Sequence, residues 1–155
     1  MKKRILTWLK PTGEHLHIGN YFGAIEPIIR AQNSGQYDVY MFLAKLHSLT
    51  AVHNAEKIHS YSINALKMYL ACGIDPTKTL IYNQADIPAH AECGRILGCI
   101  TNMGTMERMH AYKDAVAKWK ANEISVWVFS YPILMAWDIL LYDVQEVPVG
   151  KDQKQ

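Results

Sequence analysis

Lys10-Pro11-Thr12-Gly13-Glu14-His15-Leu16-His17-Ile18-Gly19-Asn20-Tyr21 is the stretch whose reading decides the fold. Before it lies Arg4-Ile5-Leu6-Thr7-Trp8-Leu9, an apolar run of the length expected for a buried strand. After it, Ile18, Tyr21, Phe22, Ile25 and Ile28 recur at helical spacing. The stretch is therefore a Pro/Gly turn from the end of a strand to the start of a helix, the place where an open α/β sheet receives its ligand. Backbone N–H groups there lack intrahelical partners and the helix dipole adds partial positive charge, so an anion suits the position. The same strand, turn and helix also occur in α/β proteins that bind nothing there. His17 and Asn20 favour the anion: three residues apart, they share a face of the first turn, and both can donate to one bound group.

The chain of 155 residues is long enough for one domain with a proper core. Half the residues are apolar and 19% are charged, a globular rather than a disordered composition. A net charge of +2 is too small for nucleic-acid binding through the overall field, so any RNA surface is local or lies outside this chain. The opening Met-Lys-Lys-Arg is followed by too short an apolar run for a signal peptide, and no run reaches the length of a membrane span. Cys72, Cys93 and Cys99 show no C-x-x-C spacing and read as reduced, buried, small hydrophobes, which places the chain in the cytosol.

Along the chain, Tyr37 to Ala44 has the content of a central parallel strand and ends at a polar loop, Lys45 to Thr50. Asn54 caps a helix whose apolar face is Ile58, Tyr61, Ala65, Met68 and Cys72, closed by Gly73 and Pro76. Thr79 to Asn83 reads as a third strand. From Pro88 the pattern is helical. Ile96, Cys99, Ile100 and Met103 form one face ending at Gly104, and Met106 to Lys120 is charged enough to face solvent. Ile124 to Tyr142 is strongly apolar, with Pro132 starting a new helix. Val144 to Val149 reads as a fourth strand. Strands alternating with helices imply an α/β fold with a parallel sheet.

Several of these stretches resemble one family. Pro11-Thr12-Gly13 with His17-Ile18-Gly19-Asn20 is similar to the ATP-binding signature of class I aminoacyl-tRNA synthetases. Tyr131-Pro132-Ile133-Leu134-Met135-Ala136-Trp137-Asp138-Ile139-Leu140-Leu141-Tyr142, with Val147-Pro148-Val149-Gly150-Lys151-Asp152-Gln153-Lys154-Gln155, resembles the amino-acid-selecting helix and following loop of the tryptophanyl-tRNA synthetases. Gly73-Ile74-Asp75-Pro76, Ile87-Pro88-Ala89-His90-Ala91 and Glu107-Arg108-Met109 fit the same family. The resemblance implies a Rossmann-type catalytic fold, a parallel sheet flanked by helices, with residues 1–155 its N-terminal part. The family's second lysine-rich ATP loop and anticodon-binding helical region are absent from this sequence, which implies weak activity for these residues alone.

By the same resemblance, L-tryptophan is joined to ATP as an adenylate and then to tRNA(Trp). Lys10, Pro11, Thr12, Gly19, Asn20, Gly150, Lys151 and Asp152 match the family's ATP contacts, and His17 with Asn20 the catalytic pair. Asp138 is expected to choose the amino acid, because an indole N–H only donates and a carboxylate only accepts. Met135, three residues before it, shares its face. His47, Val147, Val149 and Gln153 complete the expected tryptophan contacts. His53, His59, His90 and His110 read as ordinary surface or core imidazoles. His15 and His17 are too few ligands for a metal site, so magnesium is expected only with ATP. The family also implies a homodimer, with Pro88 to Met109 as its contact surface, and neither membrane nor DNA as partner.

The sequence departs from the family in places. Trp8, Trp119 and Trp127 stand where Gly is typical, Trp137 where a small residue is, and Lys45 where Asp is common. A codon read as Gly in the source and as Trp here is one hypothesis for the four indoles. A mass spectrum of the native protein showing indole at all four would remove it. One residue more than usual separates Gly13 from His17, so His15 competes with His17 for the functional role. The alternative reading is a non-catalytic tryptophan- or nucleotide-binding module of the same fold.

Overall fold

The computed structural model describes residues 2–13, 18–118 and 124–149. The chain divides into two compact units, one formed by Met1–Asp86 with Asp143–Gln155 and the other by Ile87–Tyr142.

The first unit is built on a parallel sheet in the order β1 (Lys3–Leu9), β2 (Tyr37–Leu43), β3 (Thr79–Asn83). Between β1 and β2 run α1 (Ile18–Asn20), a π turn (Tyr21–Ile25) and α2 (Glu26–Ser34). Between β2 and β3 lie the single turn α3 (Lys45–Ser48) and the long α4 (Ala55–Ala71). Period-two alternation puts Ile5, Val39, Met41 and Leu43 on one sheet face. There they form a buried cluster with Ile25, Ile28 and Ala31 from the first crossover and Ala65 and Tyr69 from the second. Burying such side chains contributes roughly 1.5–3 kcal/mol each, which is why short strands suffice. On the opposite face, register pairs Trp8 with Phe42 and Phe42 with Tyr82. Their rings stack at 5.6 Å and 5.5 Å across all three strands.

Gln32 fixes where the second crossover returns. Its Oε1 accepts from the Asp75 amide (2.7 Å) and the Thr79 hydroxyl (2.9 Å), and its Nε2 donates to the Gly73 carbonyl (3.1 Å). Gly73 holds φ +106°, a backbone that side chains resist. Asp75 Oδ1 accepts from the Thr77 hydroxyl and amide, and those bonds hold its carboxyl below the usual range.

The second unit is helical: α5 (Ala89–Ile100), α6 (Met103–Arg108), α7 (His110–Lys118) and α8 (Val126–Leu140). Helices α5 and α8 approach closely at Gly94, where an added Cβ would lie 3.3 Å from Leu134 Cδ1 and 3.6 Å from its Cα.

Several expectations need correction. Val144 to Val149 is not a strand but one parallel bridge, Ile5 to Glu146. The Gln145 side chain takes the Arg4 amide (2.9 Å), and Pro148 has no N–H to extend a ladder. Pro132 lies inside α8 and starts no new helix. Apolar burial of Val128 before it and Leu134 after it outweighs the one lost backbone bond. Gly104 belongs to α6, which is capped by Asn102, and Met106 is buried rather than facing solvent. Lys45 to Ser48 is a helical turn, not a loop. Helix α4 buries Ile58 and Ala65 as expected, but Ser62 and Tyr69 are its other buried positions, with Tyr61 and Met68 half-buried. Ile18 (74% exposed) and Phe22 (63%) leave the face shared by Ile25 and Ile28, because the π turn adds a residue to that turn. Cys72 and Cys93 are half-buried and Cys99 is exposed, so the cysteines are not a buried set.

Candidate active site

In the first unit the three strands end at one edge, and each end is tied to the next. The Ala44 amide donates to the Leu9 carbonyl (2.9 Å), joining the ends of β1 and β2. The Leu46 amide donates to Oε1 of fully buried Gln84 (3.1 Å), joining β2 to the turn after β3. This rigid edge carries Lys10, Pro11 and Thr12 just beyond β1, and His47 in α3. Pro11 is buried and Thr12 exposed, its amide turned back to the Lys10 carbonyl (3.0 Å).

Lys10 Nζ donates to Thr50 Oγ1 (2.7 Å), and that hydroxyl donates to the His47 carbonyl (2.8 Å). The Lys10 side chain is exposed overall, yet enough protein surrounds its ammonium that lost hydration pulls its pKa below the usual lysine value. His47 is 6% exposed, packed beside fully buried Ser48, whose hydroxyl donates to the Ala44 carbonyl (3.1 Å). Gly19 and Asn20 belong to the first helical turn after the Pro/Gly stretch, Gly19 exposed and Asn20 half-buried. A cation on a strand end and a helix start on the same sheet edge can together hold a phosphate chain. Val147, with Ile5, Pro27, Tyr37 and Glu146, lines a groove of about 620 Å³. Val149 is 40% exposed. His17, Gly150, Lys151, Asp152 and Gln153 lie outside the described residues.

The second unit holds Asp138, which is fully buried in the last turns of α8, with Met135 half-buried on the same face. Its neighbour is His90, which is 0% exposed in the first turn of α5. His90 Nδ1 lies 2.6 Å from Asp138 Oδ1, and its Nε2 lies 2.9 Å from the Tyr142 hydroxyl. A carboxylate offers no proton, so Nδ1 donates and Nε2 can accept from Tyr142. Asp138 and Tyr142 are four apart and meet the same partner from one side of the helix end. His90 is thus a core imidazole, as expected, and one whose partners are Asp138 and Tyr142. The sequence offered one clue: Pro88 sets a helix start and places His90 in its first turn. Its pairing with Asp138 depends on how closely α5 and α8 pack, which one residue's neighbours in sequence do not reveal.

Of the four tryptophans, Trp8 lies flat on Phe42, Trp127 is 65% exposed, and Trp119 lies outside the described residues. Trp137 Nε1 is buried without a hydrogen-bond partner among the described residues. Among those residues no three His, Cys, Asp or Glu side chains group as metal ligands, and no helix is long and apolar enough to cross a membrane.

Residues 2–155 match the family model of class I tRNA synthetases (W and Y). A tryptophan–tRNA ligase of Campylobacter jejuni is 47% identical over 152 residues, covering 98% of this chain and 46% of the ligase. A crystal structure of the Campylobacter jejuni tryptophanyl-tRNA synthetase complexed with ADP and tryptophan superposes with a TM-score of 0.85 at 47% identity, covering 97% of this chain and 46% of that one. The Mycoplasma pneumoniae tryptophanyl-tRNA synthetase structure gives 0.91 at 34% identity, covering 99% and 45%. The chain thus spans about half the length of the relatives it matches. By this match, which runs through the strand-end turn and the Asp138 helix alike, the chain belongs to the class I tRNA synthetases of the tryptophan and tyrosine group.

Proposed function

We propose that the full-length protein containing this chain is a tryptophan–tRNA ligase that activates L-tryptophan with ATP and passes the aminoacyl group to tRNA(Trp). The observation that carries the reading is the fully buried carboxylate of Asp138, the one charged residue of a mostly apolar helix. A buried acid rarely persists without a purpose, and a donor-only indole N–H is its complement. A site built around such a bond rejects analogues lacking the donor by roughly 10⁴–10⁵.

In the first reaction the tryptophan carboxylate attacks the α-phosphorus of ATP, a bond to oxygen forms, and pyrophosphate leaves with its electron pair. Such a transfer needs positioning and charge stabilisation more than covalent help from the protein. Lys10, Pro11, Thr12, Gly19 and Asn20 hold the nucleotide at the strand ends, joined by Gly150, Lys151 and Asp152. His17 and Asn20 steady the phosphates as charge develops. Met135, His47, Val147, Val149 and Gln153 line the tryptophan, and magnesium enters with ATP as part of the substrate. The protein acts in the cytoplasm as a homodimer. Exposed Ile96 (62%), Ile100 (79%) and Met103 (63%) support a contact surface within Pro88 to Met109.

Exchange of labelled pyrophosphate into ATP, run on the full-length protein with and without tryptophan, tests the proposal. Tryptophan-dependent exchange is expected. Its absence would leave only a tryptophan- or nucleotide-binding module.

A further inference from the structure

We infer that His90 is a positioning residue for amino-acid selection: its Nδ1–H fixes the plane of the Asp138 carboxylate so that the group meets an indole N–H in one orientation. The inference rests on the reading of Asp138 given above.

The terminal torsion of an aspartate is broad, so backbone and rotamer alone leave the carboxylate plane free to swing. Asp138 Oδ1 is pinned by His90 Nδ1 at 2.6 Å, which sets the direction in which Oδ2 faces. The imidazole is held in turn by the Tyr142 hydroxyl at 2.9 Å from Nε2, with the two rings 5.5 Å apart. A hydroxyl able to donate to Nε2 suits the Nδ1–H tautomer, the one that donates to the carboxylate. Tyr142, His90 and Asp138 thus form a relay of orientation, with His90 and Asp138 fully buried. Such outer partners place the group they bond as firmly as packing does.

The test is the ratio of kcat/KM for tryptophan to that for its benzothienyl isostere, in which sulfur replaces the indole N–H, measured by pyrophosphate exchange on the full-length protein. His90→Gln moves the amide donor to the Nε2 side and abandons Asp138, whereas His90→Asn keeps a donor near the Nδ1 position. The ratio is expected to fall about tenfold or more in His90→Gln, the effect of one lost bond to a charged group, while His90→Asn retains most of it. A merely structural role would lower thermal stability and activity on both substrates and leave the ratio unmoved. Asp138→Asn is the control. If it leaves the ratio intact, the reading of Asp138 fails and this inference with it. If Asp138→Asn abolishes the preference and His90→Gln preserves it, the reading stands and the positioning role of His90 is overturned. Should His90→Gln not fold, Tyr142→Phe decides: it removes only the hydroxyl, and a ratio equal to wild type overturns the inference, while a fall supports it.

Discussion

Replacing His90 by Phe leaves a buried carboxylate facing a ring that cannot donate, and replacing Asp138 by Leu leaves a buried Nδ1–H facing a methyl group. Both partners are 0% exposed and 2.6 Å apart, so no water can take the missing place without the helices moving. Leaving a buried donor or acceptor without the partner it bonds costs about 1–3 kcal/mol, and more where the orphan is a carboxylate. Replacing both by apolar groups of similar shape restores packing without an orphan and is often close to neutral. In a Tyr142→Phe background, which removes the last hydroxyl from every arm, the double variant His90→Phe/Asp138→Leu is therefore expected to recover most of the stability each single change loses. The assay is denaturant unfolding of the full-length protein, reading the midpoint of the transition that includes this region. A coupling of about 2 kcal/mol or more between the positions is expected, since contacting residues couple by roughly 0.5–3 kcal/mol. Additive losses, with the double variant as unstable as the sum of the singles, would refute the pairing as an energetic unit. Recovered stability should come without recovered selection of tryptophan, which separates the fold's need for the pair from the site's.

Three further outcomes follow from the structure. Lys10→Ala should raise the KM for ATP about tenfold or more with little change in that for tryptophan, as a lost charge-assisted bond to phosphate does; equal increases for both substrates would remove Lys10 from the nucleotide site. Gln32→Ala strips the Asp75 amide, Thr79 hydroxyl and Gly73 carbonyl of their shared partner and should cost about 1–3 kcal/mol in chemical denaturation, and no loss would show that water replaces it. Trp137→Phe removes a buried N–H that has no partner among the described residues and should raise stability by about 1 kcal/mol, whereas a lower Tm would mean that the indole is anchored.

How far the sequence reaches can be judged residue by residue. Apolar runs between Pro/Gly turns sufficed for β1, β2 and β3, most plainly for central β2, where consecutive Met41, Phe42 and Leu43 are buried on both faces. Asn54 was legible as a cap because its side chain does local work, accepting the Lys57 amide at 2.9 Å. Tertiary forces hid the rest. Pro132 reads locally as a helix start, yet burial on both sides carries α8 through it. Val144 to Val149 has strand composition, but Gln145 and Pro148 limit pairing to one bridge. Asp138 announced itself as an acid among apolar neighbours. His90 did not, since its meaning lies in a partner 48 positions away, on the helix that α5 approaches closely at Gly94.

The most direct test is a crystal structure of the full-length protein with tryptophan bound. The indole nitrogen is expected within about 2.7–3.2 Å of an Asp138 carboxylate oxygen, with His90 Nδ1 still on the other oxygen. An indole bound elsewhere, or an Asp138 carboxylate satisfied by His90 and the protein alone with the indole N–H facing another acceptor, would contradict the assignment of tryptophan selection to this helix.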